Sequence, residues 1–173
     1  MTGSSKSATA RVFAFPNPVN EVSARLVAGG VVLMCAAAVV FEQPWVTAVI
    51  AYGFLARVLS GPTLSPLGQF ATRVVTPLLP VRPVMVAGPP KRFAQAIGAV
   101  FSVTAAILWL GFGQQLAASV VLGGLAAAAT LESVFGFCLG CKLFAMLMRI
   151  GLVPDEVCRD CADLSRRYGT SSV

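Results

Sequence analysis

Four of the five cysteines in this 173-residue chain form two CxxC pairs, Cys138/Cys141 in FGFCLGCKLF and Cys158/Cys161 in DEVCRDC. Thiols at this spacing can close a tetrahedral metal site together or work as two dithiol/disulfide couples. The chain has no histidine, which removes the commonest acid/base side chain and any histidine-ligated zinc or haem centre from its own repertoire. There is no phosphate-binding glycine loop and no serine-hydrolase elbow. Catalysis by this chain would have to run on thiols and carboxylates.

The two pairs read differently. Three residues apart on a helix, Cys138 and Cys141 point to one side. If Gly136 interrupts the run, Cys138 falls in the first turn of a new helix, where free amides and the positive end of the dipole favour a thiolate and Lys142 adds to the effect. That makes Cys138 the expected nucleophile and Cys141 the resolving thiol; the bland alternative is a pair of small packing residues. Cys158 and Cys161 follow Pro154, Asp155 and Glu156, an N-terminal helix signature. Their acidic neighbours Asp155, Glu156, Asp160 and Asp163 disfavour a thiolate unless Arg159 or a metal offsets them, so this second dithiol suits an electron partner or a ligand set. In the metal alternative all four sulfurs hold one zinc, and Gly151 and Pro154 turn the tail back to clamp it on the rest of the chain. An iron–sulfur cluster is a weaker variant of the same idea.

Glu132 is the other singular residue, a carboxylate inside an apolar run, where an ionisable group is costly. It is expected either to pair with Arg57 or to exchange protons with the Cys138 thiol. The second role requires the Gly136 break, since the two residues do not share a face on a regular helix.

The elements that must position these groups are helices in a membrane. Hydrophobic residues make up 57% of the chain and charged ones 12%, about half the usual charged share of a soluble domain. The net charge of +6 comes from basic residues scattered singly between apolar segments, which argues for membrane-flanking anchors and against nucleic acid. The expected fold is all-α and polytopic, with spans at about 26–41, 45–59, 93–112 and 116–136. A polar tail (1–21) precedes the membrane domain (22–150), and a cytosolic tail (151–173) carries the second CxxC on a short helix. Between the second and third spans (62–90), Leu64, Leu67, Phe70, Ala71, Val74, Val75, Leu78 and Leu79 recur at three and four residues, the pattern of an interfacial amphipathic helix; a turn-rich connector follows over 80–90. The apolar run from Leu116 to Ile150 would extend about 50 Å as one helix against a hydrocarbon core of roughly 30 Å, so it must kink, tilt or emerge. Cys35, Trp45 and Trp109 are expected to pack or anchor.

Basic residues flank the first span, the link between the second and third, and the end of the fourth, while the EQP and GQQ turns carry none. The positive-inside rule then places both termini in the cytoplasm of a cell bounded by this inner (plasma) membrane, with both CxxC pairs facing the cytosol. Structural disulfides are rare in that compartment. The N-terminal MTGSSKSATARVF has no apolar core and does not read as a cleaved signal peptide.

The segments PPKRFAQAIGAVF, ESVFGFCLGCKLF and VPDEVCRDC, within a likeness over roughly Pro16 to Cys161, resemble the bacterial integral-membrane family known as domain of unknown function 4395, in particular its actinobacterial members. FGFCLGC is the most specific part. The resemblance implies a small four-span membrane protein with a CxxC at the cytoplasmic end of its last span, and no established activity. The expected function is thiol–disulfide redox or sulfur transfer with a thioredoxin-like or sulfurtransferase partner. The alternatives are the structural four-thiolate zinc module and, third, transport of a small sulfur species, which would need a homo-oligomer.

Overall fold

The computed structural model describes residues 17–152, and every structural statement below concerns these. The N-terminal residues and the tail with Cys158 and Cys161 lie outside them. Each apolar run forms a helix: α1 (Glu21–Val40), α2 (Pro44–Ser60), α4 (Gly88–Ala106, extended by a π-helical stretch Ile107–Gly111) and α5 (Gln115–Phe135). The Asn20 side chain caps α1 by accepting from the Val22 amide at 3.0 Å, and prolines at the first turns of α2 and α4 occupy positions where no amide partner is lost.

The four helices form an up-and-down ring in which α1 packs on α2 and α5, and α4 on α2 and α5. Val31, Cys35, Ile50, Phe54, Trp109, Leu122 and Leu125 interlock in its centre. The outer surface is also apolar: Leu33, Val100, Leu116 and Val120 are between 65% and 79% exposed. Water would penalise such a belt, and lipid does not. By length and composition four helical stretches can cross a bilayer: α1, α4 with its extension, α5, and Pro44–Leu78, which begins with α2. Trp109 and Cys35 are core residues, whereas Trp45 is exposed.

The amphipathic helix between the second and third spans is α3, which starts as Pro66–Phe70, passes through a π-helical stretch Ala71–Val75 and ends as Thr76–Leu78. Its start is deeper than a surface helix requires. Gly61, at φ +65°, ends α2 and reverses the chain. The Tyr52 hydroxyl then donates to the Leu64 carbonyl, and Leu67 packs on Gly30, at the middle of α1. From there α3 climbs back until Thr76 meets Ser23 at the start of α1, Oγ to Oγ 2.9 Å. Ser65, fully buried, caps α3 through the Gly68 amide and accepts from Arg57. In the connector after α3, β2 (Met85–Val86) pairs antiparallel with β1 (Val19–Asn20), which immediately precedes α1.

The long apolar run breaks at Gly136, and a separate helix α6 (Leu139–Arg149) follows. It packs on the start of α4, where Phe144 stacks on Phe93 with ring centroids 5.5 Å apart. Its outer stripe of Leu139, Leu143, Met146 and Ile150 is exposed beside Lys142 and Arg149, the character of a helix lying along a membrane surface.

α6 comes close to the backbone of α4 at Gly140, where an added Cβ would lie 2.6 Å from the Ala94 Cα. Gly140→Ala is expected to cost about 1–3 kcal/mol, the range for overpacking, and to lower the thermal midpoint in detergent. Gly123→Ala, whose Cβ would meet no atom within 4 Å, leaves it unchanged or raised. Equal midpoints for the two variants would refute this packing.

Candidate functional site

The site is assembled where α5 ends. Gly136 adopts the left-handed conformation (φ +66°), its amide donates to the Glu132 carbonyl at 3.0 Å, and the Phe137 amide donates to the Leu131 carbonyl at 3.1 Å. Each bond spans one residue more than its counterpart in a Schellman motif, and the left-handed turn that makes them is one glycine adopts without a Cβ penalty. Two further carbonyls at the helix end are satisfied from α1: Arg25 donates to Ser133 (3.1 Å) and Val134 (2.7 Å). Arg25 and its partners thus close the end of α5 while the chain turns.

Two residues later the chain re-enters a helix with Cys138 at the cap position. The Cys138 sulfur accepts from the Cys141 amide at 3.4 Å, the place a serine or aspartate oxygen takes at many helix starts. Cys138 is buried and Cys141 half-buried, and both are free thiols. A hydrogen bond from the Cys141 thiol, helped by the Lys91 charge and the Cys141 amide, pulls the Cys138 pKa down to about 7 against burial and the charge of Glu132. Cys141 shifts the other way, because its proton is held by Cys138 and because burial and the charge of the neighbouring sulfur oppose ionisation. The asymmetry defines one thiolate and one thiol near neutral pH.

Lys91, in the first turn of α4, supplies the nearby positive charge. Its ammonium lies 2.7 Å from a Glu132 oxygen, with the two side chains 8% and 18% exposed. The structure corrects the expected Arg57–Glu132 contact: Glu132 pairs with Lys91, while Arg57 donates to Gln95 (2.8 Å) and Ser65 (3.3 Å) and lies over the Phe54 ring at 4.4 Å. The reason is depth, since α2 carries Arg57 into the bundle where α3 and α4 present neutral acceptors. Lys142, expected to support the thiolate, instead stands over Phe137 with its ammonium 5.6 Å from the ring centroid.

Glu132 and Cys138 line one cavity of about 480 Å³ together with Arg57 and Gln95. The Gly136 break therefore brings Glu132 and Cys138 to one space despite their unfavourable spacing on a continuous helix. Cys158 and Cys161, the remaining ligands of the four-thiolate alternative, lie outside the described residues. Among the described residues no three histidine, cysteine or carboxylate side chains gather into a metal-sized cluster. Sequence reasoning missed Lys91, Arg25 and Gln95. The two cations look like ordinary flanking charges, and the only signal for Gln95 is a polar residue one turn inside a span.

Fold and site define a class: a helical protein with four membrane-length apolar helices and a dithiol, one thiol buried and one half-buried, at one end of the bundle. Within that class the chain belongs to the family described as "Domain of unknown function (DUF4395)", whose model matches residues 19–149, well over half of the chain. The match includes Lys91, Glu132, Cys138 and Cys141 and ends before Cys158. No curated protein and no solved structure matches the chain.

Alkylation of Cys138 is expected to accelerate with rising pH through a midpoint of about 7 as the thiolate forms. Lys91→Gln removes the favourable cation and moves the midpoint up, whereas Glu132→Gln removes an opposing anion and moves it down. Iodoacetamide kinetics with mass-spectrometric site assignment check this, and shifts of the same sign would show that neither charge acts directly on the sulfur.

Proposed function

We propose that this is a multi-pass plasma-membrane protein that carries out thiol–disulfide exchange with Cys138 as nucleophile and Cys141 as resolving thiol. The observation that carries the reading is the Cys138 sulfur at the cap of α6, accepting from the Cys141 amide within reach of the Lys91 charge. In the oxidative half-reaction the Cys138 thiolate attacks one sulfur of a partner disulfide, an S–S bond forms between them, and the other partner sulfur leaves as a thiolate that takes a proton. Cys141 then loses its proton and attacks the Cys138 sulfur. The mixed disulfide breaks, a Cys138–Cys141 disulfide forms, and the partner leaves as a dithiol two electrons richer. A thioredoxin-like dithiol runs the same steps backwards. The end of the bundle with Arg25, Arg57, Lys91, Arg92 and Lys142 faces the cytoplasm under the positive-inside rule, which puts the dithiol on the reducing side.

The test combines a redox and a metal measurement. Reduced, detergent-purified protein should release the chromophoric thiol of a small aromatic disulfide and acquire a Cys138–Cys141 disulfide. With Cys158 and Cys161 also changed to serine, so that the tail thiols do not answer for them, Cys138→Ser should abolish release and Cys141→Ser should trap the mixed disulfide on Cys138. About one zinc per chain, lost when either CxxC is changed to serine, would replace this reading with the structural four-thiolate site; equal activity in both serine variants would also overturn it. For the topology, a membrane-impermeant maleimide should label Cys141 in inside-out vesicles and leave it unlabelled in intact cells.

A further inference from the structure

The dithiol does not stand against solvent alone. The cavity of about 480 Å³ that Cys138 and Glu132 line runs into the bundle, where Val27, Val31, Phe54, Ile97 and Leu125 make its walls. Its size lies within the roughly 300–1,000 Å³ of small-molecule sites, and so does its makeup, mostly apolar with a few convergent polar groups. Phe101, Leu139 and Leu143 belong to the same lining and are 40–45% exposed on the outer surface. Phe101 packs over Gly124 of α5, and the partly exposed Phe101, Leu139 and Leu143 put the rim of the cavity on the lipid side of α4 and α6. A ligand reaching this space from the bilayer has to be lipid-soluble.

The polar end restricts the ligand further. Arg57 is 5% exposed, lines the cavity, and has its side-chain hydrogen bonds with the uncharged Gln95 and Ser65. A buried guanidinium of this kind suits an acceptor oxygen that becomes negative. Glu132 and the Cys138 sulfur on the same lining oppose a ligand that arrives as an anion. The chemistry that meets both conditions is a neutral carbonyl compound that gains charge only when electrons reach it.

Resting on the dithiol reading above, we infer that this cavity binds a membrane-soluble quinone and that the Cys138–Cys141 pair reduces it. The head group sits between Cys138 and Arg57, and the apolar tail leaves past the partly exposed rim of Phe101, Leu139 and Leu143. The balance is closed: the Cys138 thiolate, the Cys141 thiol, the quinone and one proton from water give the Cys138–Cys141 disulfide and the quinol. One S–S bond forms, the pair loses two electrons and the quinone gains them. Arg57 stabilises the negative oxygen before it is protonated. The protein would then pass electrons from a soluble dithiol donor into the membrane quinone pool.

The experiment uses the full chain, reduced, desalted and held without oxygen in lipid nanodiscs. It is mixed in parallel with the small aromatic disulfide and with a decyl-substituted benzoquinone whose ring positions are all filled, so that thiols cannot add to it. The expected result is that both reagents oxidise the pair, with one quinone consumed per Cys138–Cys141 disulfide formed and, once Cys158 and Cys161 are also changed to serine, no consumption by Cys138→Ser. Oxidation by the disulfide and not by the quinone overturns the quinone inference and leaves the dithiol reading standing; oxidation by neither removes both. Ala128→Phe, which fills the cavity from α5, should slow quinone reduction on the order of a hundredfold, the scale for reacting atoms held about 1 Å out of place. Gly124→Leu, which crowds Phe101 at the rim, is read alongside it in case the first variant does not fold. Unchanged quinone rates in the folded variants would show that the quinone reacts elsewhere.

Discussion

The Lys91–Glu132 pair is the constraint on which the working end of the bundle depends. Two charges largely withdrawn from solvent carry a desolvation penalty of several kcal/mol each, and mutual attraction offsets it only in good geometry. The 2.7 Å contact provides that geometry, and it does so only when the first turn of α4 lies level with the last turns of α5. The pair therefore sets the register of these two helices. It also places opposite charges beside the same sulfur, so that the ionisation of Cys138 is decided by its hydrogen bonds with Cys141, the largest influence upon it.

The second requirement is a helix break at the right residue. A continuous helix through Gly136 would carry Cys138 away from Glu132, because six residues correspond to less than two full turns at 3.6 per turn. The left-handed glycine ends α5, Arg25 satisfies carbonyls that the break leaves without intrahelical donors, and the chain turns so that Cys138 can cap α6. Gly140 then lets α6 approach the backbone of α4 at Ala94. Three local features act together here: a residue without a Cβ, a long cation from another helix, and a sulfur taking a capping role.

The same economy of side-chain volume leaves room inside the bundle. Gly98, Ala94, Ala128, Ala129 and Gly140 lie on the cavity wall, and the groups that intrude on it are the large Phe54 and the buried Arg57. Arg57 is held in place by the re-entrant start of α3: Ser65 accepts from it only because Gly61 reverses the chain. The amphipathic stripe of residues 64–79 thus does more than cover a surface. Its first turn supplies a buried polar partner in the interior.

The long apolar runs, the basic residues at their ends and the turn residues between them identify four membrane-length helices without coordinates, because hydropathy depends on local sequence. The starts of α1 and α4, at Glu21 and Gly88, lie upstream of the apolar runs, where capping and proline set them. The break at Gly136 and the start of a new helix beside Cys138 were also legible, since glycine and the CxxC spacing act over a few residues, although Cys138 caps that helix and does not enter its first turn. The choice of Lys91 over Arg57 as the partner of Glu132, the role of Arg25 at the end of α5, the depth of α3 and the existence of the cavity were decided only by the tertiary structure. These depend on which helix faces which and at what height. Lysine and arginine side chains are long and flexible enough to meet partners on several helices, and only packing selects one.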